Sequence, residues 1–374
     1  MLNTLATAVG MQQLHQWRFQ TVPLPDTLKQ QIMAVPDIPA PSLPTAGNSR
    51  DAVLLVNLGT PEAPTRAAVR RYLKEFLWDA RVVEGARIPW WLVLNLIILN
   101  TRPARSARAY QKVWTAAGSP LMDVSKKQLT AVADLLSGAG DNPAANPHLA
   151  LAMRYGEPSI PRVLRELQSK GINRLLVVPM YPQYSATTTA SVFDAVTREL
   201  GRWRDIPALH MLRSWHTDSR YIECLAASVR EHWSEFGQAD RLIMSFHGIP
   251  KDYTDAGDPY YHQCIKTGDL LAAALGLDES SCSVTFQSRV GPKQWLKPYT
   301  DETLAELPKT GVCSVQMICP GFSADCLETL EEVAMENREV FLSAGGERYE
   351  YIACLNDRPD HVRFLCELIQ ENIK

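Results

Sequence analysis

A histidine that directly follows a short apolar run is the first residue whose position suggests chemistry. His247 comes after the run 241–246 and before Gly248 and Pro250. The run predicts a buried strand, and the glycine and proline end regular pairing. Ligands of open parallel sheets bind outside the carboxyl ends of the strands, so we expect the imidazole to face a ligand crevice. The alternative is a histidine that only completes a turn.

A row of carboxylates is the second candidate. Glu328, Glu332 and Glu336 recur every four residues along a predicted helix over 324–342. In an α-helix such residues lie along one face, roughly 6 Å apart, where like charges slightly destabilise the helix. A carboxylate ladder leading to a strand end suggests a path for a hard cation, which oxygen ligands suit. A solvated helix face explains the same pattern, since further charged residues, among them Glu331, lie on this stretch.

Several other polar and aromatic residues follow predicted strand ends or turns. They are Ser119, Arg154, Tyr155, Tyr184 and Trp295. Aromatic rings and an arginine that converge on one cleft suit a large, flat, anionic ligand. Each residue alone is weak support, because aromatic side chains beside turns commonly pack in the core.

Strands and helices alternate along most of the chain, and the pattern restarts after residue 240. This predicts an α/β fold of two similar, doubly wound, Rossmann-like domains with four-stranded parallel sheets and the active site in the cleft between them. We expect domains over 51–200 and 201–345, followed by a strand and helix at 346–374 that pack back on the first domain. Residues 1–50 are rich in proline and predict an irregular extension.

Composition narrows the function classes. The 374 residues exceed the roughly 250–300 at which single hydrophobic cores stop growing, which favours two domains. A net charge of −3 without a Lys/Arg cluster argues against a nucleic-acid partner. Neither dinucleotide-binding nor P-loop glycine motifs occur. Eight cysteines without a C-x-x-C pair, and no clear secretory signal, predict reduced thiols in the cytoplasm and no zinc site.

The longest apolar run covers 88–99 and is too short to cross a bilayer, which takes about 20 residues. Trp90 and Trp91, with Arg87 before the run and Arg102 after it, suit a membrane interface. A buried core helix is the alternative.

These stretches together resemble the ferrochelatase family. The matching motifs are S-F-H-G-I-P at 245–250, Y-P-Q-Y-S at 181–185, F-Q-S-R-V-G-P at 286–292 followed by Trp295, P-G-F-S-A-D-C-L-E-T-L at 320–330, V-N-L-G-T-P at 56–61 and G-S-P-L at 118–121. The resemblance covers about residues 51–372, and several spaced motifs in the right order make it specific.

The resemblance implies a lyase that inserts Fe²⁺ into protoporphyrin IX to form protohaem, the last step of haem synthesis. It implies that His247 is the catalytic histidine and Glu328 its partner across the pocket, both contacting iron, with Glu332 and Glu336 as outer acidic positions. It also implies porphyrin contacts from Ser119, Arg154, Tyr155, Tyr184 and Trp295. Run 88–99 matches an apolar lip at the porphyrin mouth, in possible peripheral contact with the inner membrane.

Iron is a substrate in this reaction, and no resident cofactor is implied. A C-terminal [2Fe–2S] cluster is not expected, because only Cys354 and Cys366 lie near the chain end, whereas some members use three closely spaced cysteines there. Three other functions stay open: a coproporphyrin ferrochelatase, a cobalt chelatase acting on another tetrapyrrole, and a non-catalytic, two-lobed protein that binds a tetrapyrrole or metal.

Overall fold

Two parallel four-stranded sheets organise the computed structural model, which describes residues 51–138 and 146–373. The strands are β1 (Asp51–Gly59), β2 (His148–Tyr155), β3 (Arg174–Pro179), β4 (Ala208–Met211), β5 (Arg241–His247), β6 (Cys282–Gln287), β7 (Ser314–Ile318) and β8 (Arg348–Tyr351). Their orders are β2-β1-β3-β4 and β6-β5-β7-β8, so the second half repeats the topology of the first. The predicted α/β fold class is confirmed. The extension predicted for residues 1–50 lies outside the described residues.

Helices connect these strands. They are α1 (Arg66–Trp78), α2 (Arg87–Leu92), α3 (Leu99–Val113), α4 (Pro120–Gly138), α5 (Ile160–Ser169), α6 (Ser191–Leu200), α7 (Ser219–Phe236), α8 (Lys251–Asp255), α9 (Tyr260–Leu275), α10 (Thr300–Glu306), α11 (Asn337–Ser343) and α12 (Pro359–Asn372), with a 3₁₀ turn at Leu307–Thr310. Three segments are π-helical: π1 (Val93–Ile98), π2 (Ala186–Ala190) and π3 (Glu328–Glu336).

The central strand of each sheet is covered on both faces. In β1, Val53 and Leu55 point into one apolar core and Leu54 and Val56 into another, as the two-residue period of a strand requires. The first of these cores also contains Met244 of β5, so the two halves share it. The apolar runs that predicted these strands are therefore buried on both sides.

The first sheet extends past the predicted domain boundary at residue 200. β4 pairs in parallel with β3, so the fourth strand of that sheet comes from residues after the boundary, which itself stays a prediction. β4 is only four residues long and partly exposed, which makes its apolar signal weak. At the C-terminus β8 pairs with β7 of the second sheet, while α12 packs against α4 of the first half and against α7.

Buried hydrogen bonds join the two halves near the strand ends. The Gln183 amide, in the loop after β3, donates to the Thr267 hydroxyl on α9 at 3.0 Å. The Gln128 amide on α4 donates to the carbonyls of Ser323 and Asn356 at 2.8 and 2.9 Å. Loops that end strands of different sheets are thus held in one fixed arrangement.

Candidate active site

His247 is the last residue of β5, and its backbone turn fixes the imidazole. Nδ1 lies 2.7 Å from the carbonyl oxygen of Gly248. A carbonyl can only accept, so Nδ1 is the donor, and Nε2 of the neutral ring keeps its lone pair. The backbone is tightly packed here, because a Cβ on Gly248 would lie 2.9 Å from the Gln287 carbonyl oxygen and 3.3 Å from the Trp295 ring.

Trp295 is held beside this turn by short backbone pairing. Leu296 N–H donates to the Ile249 carbonyl at 3.0 Å, and the Trp295 indole N–H donates to the Val290 carbonyl at 2.9 Å. The ring is partly exposed. The structure therefore places Trp295 beside the turn that follows His247.

Glu332 lies within electrostatic range of His247. Its carboxylate accepts from the Ser288 N–H at 2.8 Å and from the Ser288 hydroxyl. Ser288 has a φ of +68°, a left-handed backbone that non-glycine residues seldom adopt. Burial raises the pKa of Glu332, opposed by the Ser288 hydrogen bonds and the charge of His247 and assisted by Glu328.

Glu328 opens π3 and lines a small hollow between the halves. The other polar groups of the hollow come from Thr60, Tyr72, Tyr110, Ser119 and Cys326. Ser119 is buried, and its hydroxyl accepts from the Met122 N–H at 3.3 Å. Burial, then the charge of Glu328, raises the pKa of the Tyr110 hydroxyl. Ser119 is thus brought beside Glu328, and the two tyrosines were not predicted.

The acidic ladder differs from its predicted form. The helix expected over 324–342 is π-helical from Glu328 to Glu336, where hydrogen bonds run from i to i+5. Glu328 and Glu332 are partly buried and Glu336 is exposed. Glu331 is buried and binds the Lys112 ammonium at 2.6 Å, so it is not part of a solvated face. Side-chain periodicity does not distinguish a π-helix from an α-helix over two turns.

Arg154 and Tyr155 lie in a buried polar network. The Arg154 guanidinium pairs with the Asp79 carboxylate and donates to the Ser191 hydroxyl at 2.6 Å. Tyr155 has no exposed surface, and its hydroxyl donates to Asp79 at 2.8 Å. Tyr155 therefore lies in the core behind Asp79, and its predicted contact with the porphyrin stays a prediction. The charge of Arg154 is already neutralised by Asp79, 75 residues away in the chain.

Tyr184 lies in the loop after β3 and is partly buried. Its N–H donates to the Gln263 side chain at 2.7 Å, and the Arg213 guanidinium lies 4.6 Å from its ring centre. The next residue is also tied to the second half, because the Ser185 hydroxyl donates to Asp258 at 2.9 Å.

The apolar run predicted at 88–99 forms α2, π1 and the start of α3, and we call residues 87–98 the lip. Leu94 is buried, whereas Ile88, Leu96 and Ile97 are 79%, 64% and 57% exposed. The alternative of a buried core helix is therefore wrong for most of the run. No helix within residues 51–138 and 146–373 combines the length and hydropathy of a membrane span.

The root of the lip is tied to the second half by Tyr253 on α8. Its hydroxyl donates to the Val82 carbonyl at 3.1 Å and accepts from the Glu84 N–H at 3.2 Å. On the other side, Arg81 pairs with Asp194 on α6 at 2.8 Å. The loop that precedes the lip is thus fastened to both halves.

Comparison with known proteins identifies the family. The Ferrochelatase family model matches residues 50–373. The ferrochelatase of Thioalkalivibrio sulfidiphilus is 53% identical over 322 residues, covering 86% of this chain and 86% of the relative. That of Pseudoalteromonas atlantica is also 53% identical over 322 residues, covering 86% and 88%.

Among solved structures, SirB from Bacillus subtilis with Fe³⁺ is similar in fold, with a TM-score of 0.50 and 12% identity over 86% of this chain and 95% of that one. Its low identity bears on the fold alone. From the family match and the close relatives, the chain belongs to the ferrochelatase family, the metal-inserting lyases of haem biosynthesis.

Proposed function

We propose that this chain inserts Fe²⁺ into protoporphyrin IX to form protohaem. We assign the site because His247, with Nε2 free, and the partly buried carboxylates of Glu332 and Glu328 converge there. Family membership supports the metal-inserting reaction. The choice of protoporphyrin is part of the proposal.

His247 accepts the protons that the porphyrin must lose. A free-base porphyrin releases two pyrrole N–H protons as the metal enters, and histidine is the side chain most often used to accept protons near neutral pH. Only Nε2 is available, because Nδ1 is bound to the Gly248 carbonyl. The imidazolium that forms is stabilised by the nearby carboxylates.

Glu328 and Glu332 supply the iron. Carboxylate oxygens replace the water ligands of a hard cation stepwise, and a carboxylate held by two hydrogen bonds, as Glu332 is by Ser288, offers a fixed position for that exchange. Glu336 is exposed and acts as an outer position. Among the described residues no group of three His, Cys, Asp or Glu side chains forms a ready metal site.

Trp295, Tyr184 and Ser119 contact the porphyrin in this proposal. Trp295 presents a partly exposed ring beside His247, and Ser119 lies beside Glu328. Arg154 acts indirectly, since its ion pair holds Asp79 at the end of α1, and thereby the loop that leads to the lip. Tyr155 supports that network from the core.

The protein is cytoplasmic in this proposal and touches the inner membrane peripherally through residues 88–99. The exposed apolar side chains of the lip support the contact. A [2Fe–2S] cluster is not part of the proposal, because Cys354 is buried on the outer side of the second sheet and Cys366 on α12 lies against α4. Stoichiometric acid-labile sulfide in anaerobically purified protein would contradict this.

One assay tests the reaction and its substrate. Purified protein is mixed with Fe²⁺ or Zn²⁺ and with protoporphyrin IX or coproporphyrin III, and the absorbance of the metalloporphyrin is followed. We expect faster insertion into protoporphyrin IX. Faster turnover of coproporphyrin III would reassign the substrate, insertion of cobalt into another tetrapyrrole alone would favour the cobalt chelatase, and binding without insertion would make the protein non-catalytic.

A further inference from the structure

We propose that helices α1 and α3 form a basic surface that binds anionic lipid headgroups next to the inserted lip. This inference rests on the membrane contact proposed above and names the lipid chemistry that the contact selects.

The basic residues of the two helices face outward together. α1 contributes Arg66, Arg70, Arg71 and Lys74, and α3 contributes Arg102, Arg105, Arg108 and Lys112. All eight are exposed, and α3 contains no acidic residue. At about 100° per residue, the four side chains of α3 fall within about 120° of one another. Because α1 packs on α3, folding assembles a Lys/Arg cluster that inspection of the linear sequence missed.

Most of these charges have no carboxylate partner within residues 51–138 and 146–373. Arg71 pairs with Glu62, and Lys112 pairs with Glu331. For the other six, no ion pair is formed with any residue in the described ranges. The chain as a whole carries a net charge of −3, so this density is local.

The basic surface is continuous with the lip. The Arg66 guanidinium donates to the Asn100 carbonyl at 3.3 Å, and that of Arg70 donates to the Leu99 carbonyl at 3.1 Å. Both guanidinium groups therefore lie where the lip passes into α3, next to the exposed Leu96 and Ile97.

An anionic membrane fits this arrangement better than an acidic protein. Apolar side chains bordered by unpaired cations are typical of interfacial segments, which bury the first and place the second among headgroups. An acidic protein partner would satisfy the cations but would not bury the exposed side chains of Ile88, Leu96 and Ile97.

Vesicle flotation tests the proposal with the full chain. The probes are vesicles of phosphatidylcholine alone and of phosphatidylcholine mixed with phosphatidylglycerol. The variant is Arg102→Gln/Arg105→Gln/Arg108→Gln. The matched control is Arg162→Gln/Arg165→Gln/Arg202→Gln, whose arginines lie near glutamates on the α5–α6 side.

The natural sequence and the control should bind the anionic vesicles more tightly than the neutral ones, and high salt should remove the difference. The triple α3 variant should lose on the order of 100-fold in affinity for anionic vesicles, at about a tenfold loss for each one or two charges. Two results would overturn the proposal. One is equal binding by this variant and the natural sequence. The other is no preference for anionic vesicles, which would favour an acidic protein partner.

Zinc insertion into detergent-dispersed porphyrin separates this proposal from the proposed function. The triple α3 variant should keep its kcat there, because none of the three arginines lies at the metal site. A chain that prefers anionic vesicles but inserts no metal would overturn the proposed function and leave the lipid surface standing.

Discussion

At the scale of single residues, the chemistry of the site depends on which side-chain atoms already form hydrogen bonds within the protein. The bond from Nδ1 of His247 to the Gly248 carbonyl leaves one nitrogen for the substrate, and Ser288 occupies both oxygens of Glu332 from one side. The sequence predicted His247, Glu328 and Glu332 because their motifs are local. It did not predict that Ser288 supports Glu332, because a left-handed serine has no local signature.

Replacing His247 with alanine should lower metal insertion by 10²–10⁴-fold, the usual effect of losing a general base. Porphyrin binding, followed by quenching of tryptophan fluorescence, should persist. His262→Ala is the matched control, since that histidine is exposed on α9. Retention of more than about a tenth of kcat would show that another group accepts the protons.

The two ends of the acidic ladder should behave differently. Glu328→Gln removes a charge in the hollow and should lower kcat severely, whereas Glu336→Gln, at an exposed position, should mainly raise the KM for metal. Metal-titration kinetics on both variants measure this. Equal losses of kcat alone would exclude a stepwise path, and an unchanged Glu336 variant would make that residue part of the solvated surface.

At the scale of elements, short apolar runs predicted the eight strands, because both faces of each sheet are covered. The sequence did not predict which helices are π-helical. π-helices are rare and are frequently found at functional sites, and here π3 carries Glu328 and Glu332 while π1 forms part of the lip. The apolar signal of β4 is weak because this strand has only four residues and is partly exposed.

Of the two tryptophans in the lip, Trp91 should be the one that contacts lipid. Its side chain is 49% exposed, whereas the indole of Trp90 donates to the Leu77 carbonyl at 2.7 Å and anchors the segment. Trp91→Ser should reduce liposome flotation, and Trp90→Ser plus Trp91→Ser should also raise the porphyrin KM. Phe236→Ser, at 48% exposure on α7, is the control. If the double variant floats normally with an unchanged KM, the lip has no part in membrane contact.

At the scale of the whole molecule, no local sequence pattern indicates the ion pairs between residues that are far apart in the chain. Lys112 and Glu331 are 219 positions apart, and Arg154 and Asp79 are 75 apart. A sequence shows that such residues are charged, but only the packing of elements shows which charges meet. The bond between the Tyr155 hydroxyl and Asp79 is a further pair that the sequence did not indicate.

His361 makes the stability of the whole chain sensitive to acid. It is fully buried on α12, and burial lowers its pKa to about 4. Between that value and the unfolded pKa of about 6.5 the unfolded chain binds a proton that the folded one does not, so stability falls as pH drops through this window. The expected loss from this residue is about 2 kcal/mol between about pH 7.5 and pH 5.

Urea unfolding at the two pH values measures this loss. His361→Asn keeps a donor for the Asn356 carbonyl, which Nδ1 contacts at 2.8 Å, and removes the titration. That variant should lose less stability on acidification than the natural sequence. An equal acid dependence in both proteins would assign the effect to other groups.

Tyr253 has a consequence for how the cleft opens. Its hydroxyl holds Val82 and Glu84 at the root of the lip, and α8, which carries it, begins four residues after His247. Outward movement of that root therefore either breaks both hydrogen bonds or displaces α8 and the turn that orients the imidazole. The position of the lip root and the orientation of the imidazole are therefore mechanically linked: the Tyr253 hydroxyl must exchange its two protein partners for water before the root can move without disturbing His247.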